Sequence, residues 1–251
     1  MPEDVRESAA RNNAEWCAVV CGSHGLAGRT DGYAWSVPRR SPTWYPDAVT
    51  LRPGVDADAL LARIDAGPGA SVKDSFADLD LSRYGFRVLF DAQWIRGPSL
   101  DPPTGAPLTP VTTPTQLATW AAAHGGGTLF RPALLADPRV RILARYDDRG
   151  TVVGGAVVSG DTVYGVSNLF AHGVDPSEIW HGVLATVPRV PLVGYESGPD
   201  LTPAQAAGFT RQGPLRVWLH PPNPGDHEVG VLATGVSRRQ LHEHRGRTGV
   251  R

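Results

Sequence analysis

The chain echoes itself. One stretch reads VTLRPGVDADALLARIDAGPGASVKDSFADLDLSRYGFRVLFDAQWI, and a later one reads SNLFAHGVDPSEIWHGVLATVPRVPLVGYESGPDLTPAQAAGFTRQGPLRVWL. Both run strand, Gly-Val-Asp, amphipathic helix, strand, an acidic residue with Ser, a polar segment with Asp-Leu, Gly-Phe, and a strand carrying Trp. Gly54-Val55-Asp56 answers Gly173-Val174-Asp175, Asp74-Ser75 answers Glu196-Ser197, and Gly85-Phe86 answers Gly208-Phe209. Lys73 falls opposite Tyr195. Such an order calls for two units of one kind, each burying strands under a covering helix. The expected class is α/β (α+β), a mixed sheet flanked by helices, built as two fused half-units with the first truncated.

Periodicity fills in the elements. Helices are expected over 3–22, 56–66, 115–124, 177–187 and 202–207, and strands over 48–51, 70–76, 190–195 and 215–219. YGFRVLFDAQWI opens another strand, while residues 23–47 read as loop. Three strands, 140–146, 151–159 and 162–169, are separated by Asp-Asp-Arg-Gly and Ser-Gly-Asp turns, which predicts an antiparallel meander. The expected organisation is a first unit over 1–100, a Pro/Thr-rich linker over 101–114, a second unit over 115–222, and a flexible basic tail over 223–251.

The 251 residues suffice for a sizeable core, and the net charge of −1 offers no footprint for nucleic acid. No apolar run is long enough to span a membrane, and the acidic opening Met-Pro-Glu-Asp is unlike a signal peptide. Cys17 and Cys21 lie four apart in a helical pattern with no second Cys/His cluster, so they read as core residues of a cytoplasmic protein, with no metal. Lys73 is the single lysine among 24 Lys and Arg residues. Arg bias with abundant Ala, Gly and Pro points to a high-GC genome, such as an actinobacterial one.

The helix at VTTPTQLATWAAA, the meander RILARYDDRGTVVGGAVVSGDTVYGVSNLFA with Gly154-Gly155, and the segment LVGYESGPDLTPAQAAGFTRQGPLRVWL together resemble the GNAT superfamily of N-acetyltransferases. The resemblance covers about residues 111–220, and the first half resembles a truncated second copy, a tandem arrangement. It implies acyl transfer from acetyl-CoA or another acyl-CoA to a small amine or amino-acid-like substrate. It also implies a cofactor lying in the V between two splayed parallel strands, 163–169 and 190–195, with its pyrophosphate on the N-terminus of the helix between them. The residues so implied are Leu169, Phe170, His172 and Gly173. The turn departs from the family pattern: it has one glycine, Asp175, Pro176 and Glu178, and His172 as its only cation. Ala204 stands where the family often has a general-acid Tyr. The alternative is a GNAT-fold protein that does not use CoA and binds a small molecule, or does other acid–base chemistry, between the two units.

Ligands of open α/β sheets bind beyond the carboxyl ends of strands. That draws attention to Lys73, Asp74 and Ser75 in one half and to Tyr195, Glu196 and Ser197 in the other. Lys73 supplies a compact cation for a substrate carboxylate, Glu196 a proton acceptor and Tyr195 a proton donor. The plainer alternative is a Lys73–Asp74 surface pair and a Glu ahead of a short helix. Ser167 and Asn168, at the end of their strand, would line the same cleft or simply turn the chain. Trp44, with Trp35 and Tyr45, either walls an apolar pocket or pins a long loop. His124-Gly125-Gly126-Gly127 mimics an oxyanion loop, but no Gly-x-Ser-x-Gly elbow accompanies it, so it reads as a helix C-cap, and a hydrolase ranks last.

Overall fold

Residues 4–98, 105–187 and 190–222 are described by a computed structural model. The Asp4 carboxylate caps helix α1 (Val5–Ser23) by accepting from Arg6 N–H at 2.9 Å. One stripe of α1 buries Ala9, Trp16, Cys17, Val20 and Cys21, with Asn12 and Asn13 in its middle. Strands β1 (Arg29–Thr30) and β2 (Ala34–Ser36) follow, within the segment expected to be loop. Asp31 Oδ1 closes their turn by accepting from the Tyr33 and Ala34 N–H groups. Then come β3 (Ala48–Thr50), α2 (Ala57–Leu61), β4 (Ser71–Asp74) and β5 (Arg87–Arg96). Helix α2 is shorter than expected because Arg63 and Ile64 N–H bond back only three residues, tightening the chain ahead of Gly67-Pro68-Gly69.

The second stretch begins with β6 (Thr109–Pro110) and α3 (Pro114–His124), which starts in a Thr113/Gln116 capping box. Of the expected linker, 101–104 lies outside the described residues. The remainder is not free: β6 pairs with β7, and Leu108 and Val111 are buried. The meander is β7 (Val140–Tyr146), β8 (Val152–Gly160) and β9 (Tyr164–Ala171), paired antiparallel. Helix α4 (Pro176–Thr186), β10 (Leu192–Glu196), α5 (Leu201–Ala206) and β11 (Thr210–Leu219) complete the fold. Strand β11 begins earlier than expected, since a bulge at Gly213, with φ 147°, takes up the missing N–H of Pro214. The expected tail lies outside the described residues.

The eleven strands of the described residues form one sheet, ordered β1-β2-β3-β4-β11-β5-β10-β9-β8-β7-β6. Outward from the central β11–β5 pair the two sides match. On one side β4 is antiparallel, β3 joins it in parallel and β2 is antiparallel again; on the other, β10, β9 and β8 repeat that sequence. Strand β5, from the first stretch of the echo, pairs with β10 of the second, and β11 of the second pairs with β4 of the first. Successive side chains of a strand face opposite ways, so the core has two layers. Val157 packs with the α1 and α3 residues Trp16 and Trp120, whereas Ala156 and Val158 pack with Ile179 and Trp180 of α4. The glycines of both Gly-Phe pairs are left-handed, with φ of 84° and 91°.

Among the described residues no helix is long and apolar enough to cross a membrane, and no group of His, Cys, Asp or Glu is placed to hold a metal.

Candidate functional site

Strands β9 and β10 run together only briefly. Their parallel pairing covers Tyr164–Leu192 and Gly165–Val193, after which β9 continues to Ala171 and β10 to Glu196 unpaired with each other. The parting has a local cause. Between Gly155 and Val157 strand β8 advances two residues while β9 moves from Phe170 to Ser167, so β9 carries an extra residue. Asn168 lies in this bulge at φ 53°, a conformation Asn tolerates better than most residues. Its Oδ1 accepts from Trp16 Nε1 and Tyr45 Oη, each at 3.2 Å.

Helix α1 fits against this point. Asn12 Nδ2 donates to the Ser159 and Val163 carbonyls at 2.8 and 3.0 Å. A Cβ at Gly165 would collide with Asn12 Oδ1, so the last paired residue of β9 has to be glycine. The loop before β3 is held by the buried Asp47, which accepts from Ser41 and Ser71 N–H, both at 2.8 Å, and from Arg40 Nη1 at 3.1 Å. This brings Trp44 and Tyr45 over the strand ends.

Strand β4 is buried throughout, and Lys73 is 4% exposed. Its Nζ donates to Asn13 Oδ1 at 2.8 Å and sits 4.0 Å from the centre of the Tyr195 ring. Strands β4 and β10 are separated by β11 and β5, so about 14 Å of sheet lies between them. Two long side chains on the same face bridge it. Trp94 of β5 supports Tyr195 edge-on, with centroids 5.7 Å apart, and donates from Nε1 to the Ser75 carbonyl at 2.8 Å.

A narrow pocket opens here. Lys73, Tyr195, Glu196, Ser167, Asn168 and Trp44 line it, together with residues of α1. Glu196 is half-buried, and desolvation followed by repulsion from Asp200 pushes its carboxyl well above the usual range. Burial likewise raises the Cys17 thiol to about 11, so that sulfur is inert packing on the wall. Ser167 Oγ and Trp44 Nε1 are buried without a hydrogen-bond partner.

Other expected residues are elsewhere. Asp74 faces away from Lys73 and accepts from Phe76 and Leu79 N–H at 3.3 and 3.0 Å. Ser75 N–H donates to Thr50 Oγ1 at 2.8 Å, and Ser197 is buried outside the pocket lining. Phe170 packs on Trp120, and Leu169 packs against the α4 cluster. His172 Nε2 is 2.8 Å from the Ala123 carbonyl, and Gly173 turns the chain at φ 72°. His124 stacks on Trp120 in the core, where burial lowers its imidazole to about 4, and Gly125 caps the helix at φ 89°. Tyr45 walls the pocket beside Trp44, and Asn13, Trp16 and Cys17 of α1 line it without having been anticipated. Paired asparagines on the apolar stripe of α1 were the available signal.

An acyl-CoA fits this arrangement only in part. The parted strands suit its extended arm. The N-terminus of α4 does not suit its diphosphate: Asp175 already accepts the Ser177 N–H at 2.8 Å, Pro176 has no N–H, and Glu178 adds a second carboxylate to the first turn.

No family profile and no curated protein matches the chain. Solved structures do. A GNAT-family acetyltransferase from Novosphingobium aromaticivorans superposes with a TM-score of 0.54 at 13% identity, covering 84% of this chain and 97% of that one. A GCN5-related N-acetyltransferase from Kribbella flavida gives 0.53 at 13% identity over 88% and 97%. A GCN5-related N-acetyltransferase-like protein from Streptococcus suis gives 0.50 at 13% identity over 85% and 97%. Likeness at this identity is likeness of fold.

Proposed function

We propose that this chain, which has the fold of the GNAT N-acetyltransferases, transfers an acyl group to the amine of a small molecule held in the strand-end pocket. The observation that carries this reading is the parting of β9 and β10 directly onto Tyr195 and Glu196. In this account Glu196, once ionised, takes a proton from the substrate ammonium and frees the nitrogen lone pair to attack the acyl carbonyl. Its raised proton affinity suits a base that must remove a proton from an ammonium. Tyr195 Oη returns a proton to the departing group, and Lys73 with Asn13 fixes the Tyr195 ring from above. The resemblance to the GNAT fold implies an acyl-CoA as donor, which would supply the activated acyl group when bound. Here the turn at α4 argues against an ordinary diphosphate site, so no step is assigned to it.

A second reading, favoured by the carboxylates at α4, is a protein of the same fold that binds its small molecule without CoA. Incubation with acetyl-CoA and a panel of small amines separates the two. An acetylated product by mass spectrometry supports transfer. No product, with no rise in melting temperature at millimolar acetyl-CoA, supports the second reading.

A further inference from the structure

The amide acceptors on the pocket wall are taken: Asn168 Oδ1 receives two donors, from Trp16 and Tyr45, and Asn13 Oδ1 receives Lys73 Nζ, with Cys17 Sγ at 4.0 Å on its other side. The donors are not. Lys73 Nζ has three N–H groups and one oxygen partner, and its other neighbour is the face of Tyr195. Ser167 Oγ and Trp44 Nε1, on residues that line the same space, are buried with no partner.

A buried cation without a carboxylate carries a desolvation cost that a counter-ion removes. Asp74, the adjacent carboxylate, is turned to the other face of the strand and bonded to the Phe76 and Leu79 amides. Glu196, the carboxyl on the wall, forms no hydrogen bond or ion pair with Lys73 and lies beside Asp200. Lys73 is therefore left to pair with something that enters.

We propose that the pocket recognises the carboxylate of a small amino-acid-like molecule, with Lys73 as its counter-ion and Ser167 and Trp44 as further donors. This rests on the reading of the pocket as the substrate site, and it names the substrate class: an amino acid or similar amine-bearing acid, rather than a plain amine. With the carboxylate on Lys73, the amine of such a molecule is left toward Glu196.

The test is calorimetric titration of the full-length protein with the common L-amino acids, their α-amides and the corresponding decarboxylated amines, with no acyl donor present. The expected result is an acid that binds at least about tenfold more tightly than its amide, a difference that Lys73→Gln abolishes. The comparison of acid with amide is made on the unaltered protein, so it stands even if Lys73→Gln folds poorly. Amides or amines that bind as tightly as the acids overturn the proposal, as does the absence of binding by every acid at about 10 mM. Because no donor is present, acid binding without later acyl transfer would count against the transferase reading and leave this one standing.

Discussion

Lys73 Nζ and the Tyr195 ring meet at 4.0 Å across two intervening strands of the sheet. A desolvated cation over an aromatic face is stabilised by about 2 kcal/mol. The two residues are therefore asymmetric under substitution. Tyr195→Leu leaves a buried ammonium with Asn13 alone and is expected to lower stability by about 2 kcal/mol. Lys73→Met removes the charge together with its desolvation cost and is expected to cost less. Denaturant unfolding of both single variants and the double variant checks this; the double variant should lose less than the sum of the two.

Glu196 carries a pH signature. Its folded form holds the proton more tightly than the unfolded chain does, because burial and Asp200 both disfavour the anion. Its contribution is therefore fully present below the ordinary glutamate range and is lost as pH rises through the raised folded value. Glu196→Gln should flatten that decline. Melting temperatures of both proteins from mildly acidic to mildly alkaline pH provide the measurement, and parallel curves would refute it.

Gly165 and Asn12 are coupled by contact. Gly165→Ala drives a methyl into Asn12 Oδ1 and should destabilise the protein by about 1–3 kcal/mol. Asn12→Ala leaves two carbonyls without their donor and should cost a similar amount. Together the two changes should cost less than their sum, as read by chemical denaturation, since removing the amide makes room for the methyl.

At α4, Asp175→Ser with Glu178→Gln removes both carboxylates from the helix N-terminus while keeping a capping oxygen. Each exposed charge at such a position is worth about 0.3–1 kcal/mol, so acetyl-CoA should bind several-fold more tightly to the double variant if its diphosphate goes there. Equal affinity by calorimetry would place the diphosphate elsewhere.

Much of this arrangement was legible in the sequence. The echo aligned Lys73 with Tyr195, and the two side chains touch. The meander and the helix positions followed from periodicity. What pattern could not supply was the pairing of β5 with β10 and of β11 with β4, since strand partners distant in sequence leave no local trace. For the same reason the roles of Asn13 and Trp16 were hidden: they reach the pocket only because Asn12 docks α1 at Gly165. Asp74 was misplaced by proximity alone, as alternation along a strand puts neighbours on opposite faces.

The most direct test of the strand-end pocket as the working site is acyl transfer followed by mass spectrometry across pH, in the unaltered protein and in Glu196→Gln. Transfer from acetyl-CoA to an amino acid is expected to rise with pH as Glu196 ionises, and to fall by about 100-fold or more in the variant. Transfer by Glu196→Gln at the same rate and with the same pH profile would contradict it.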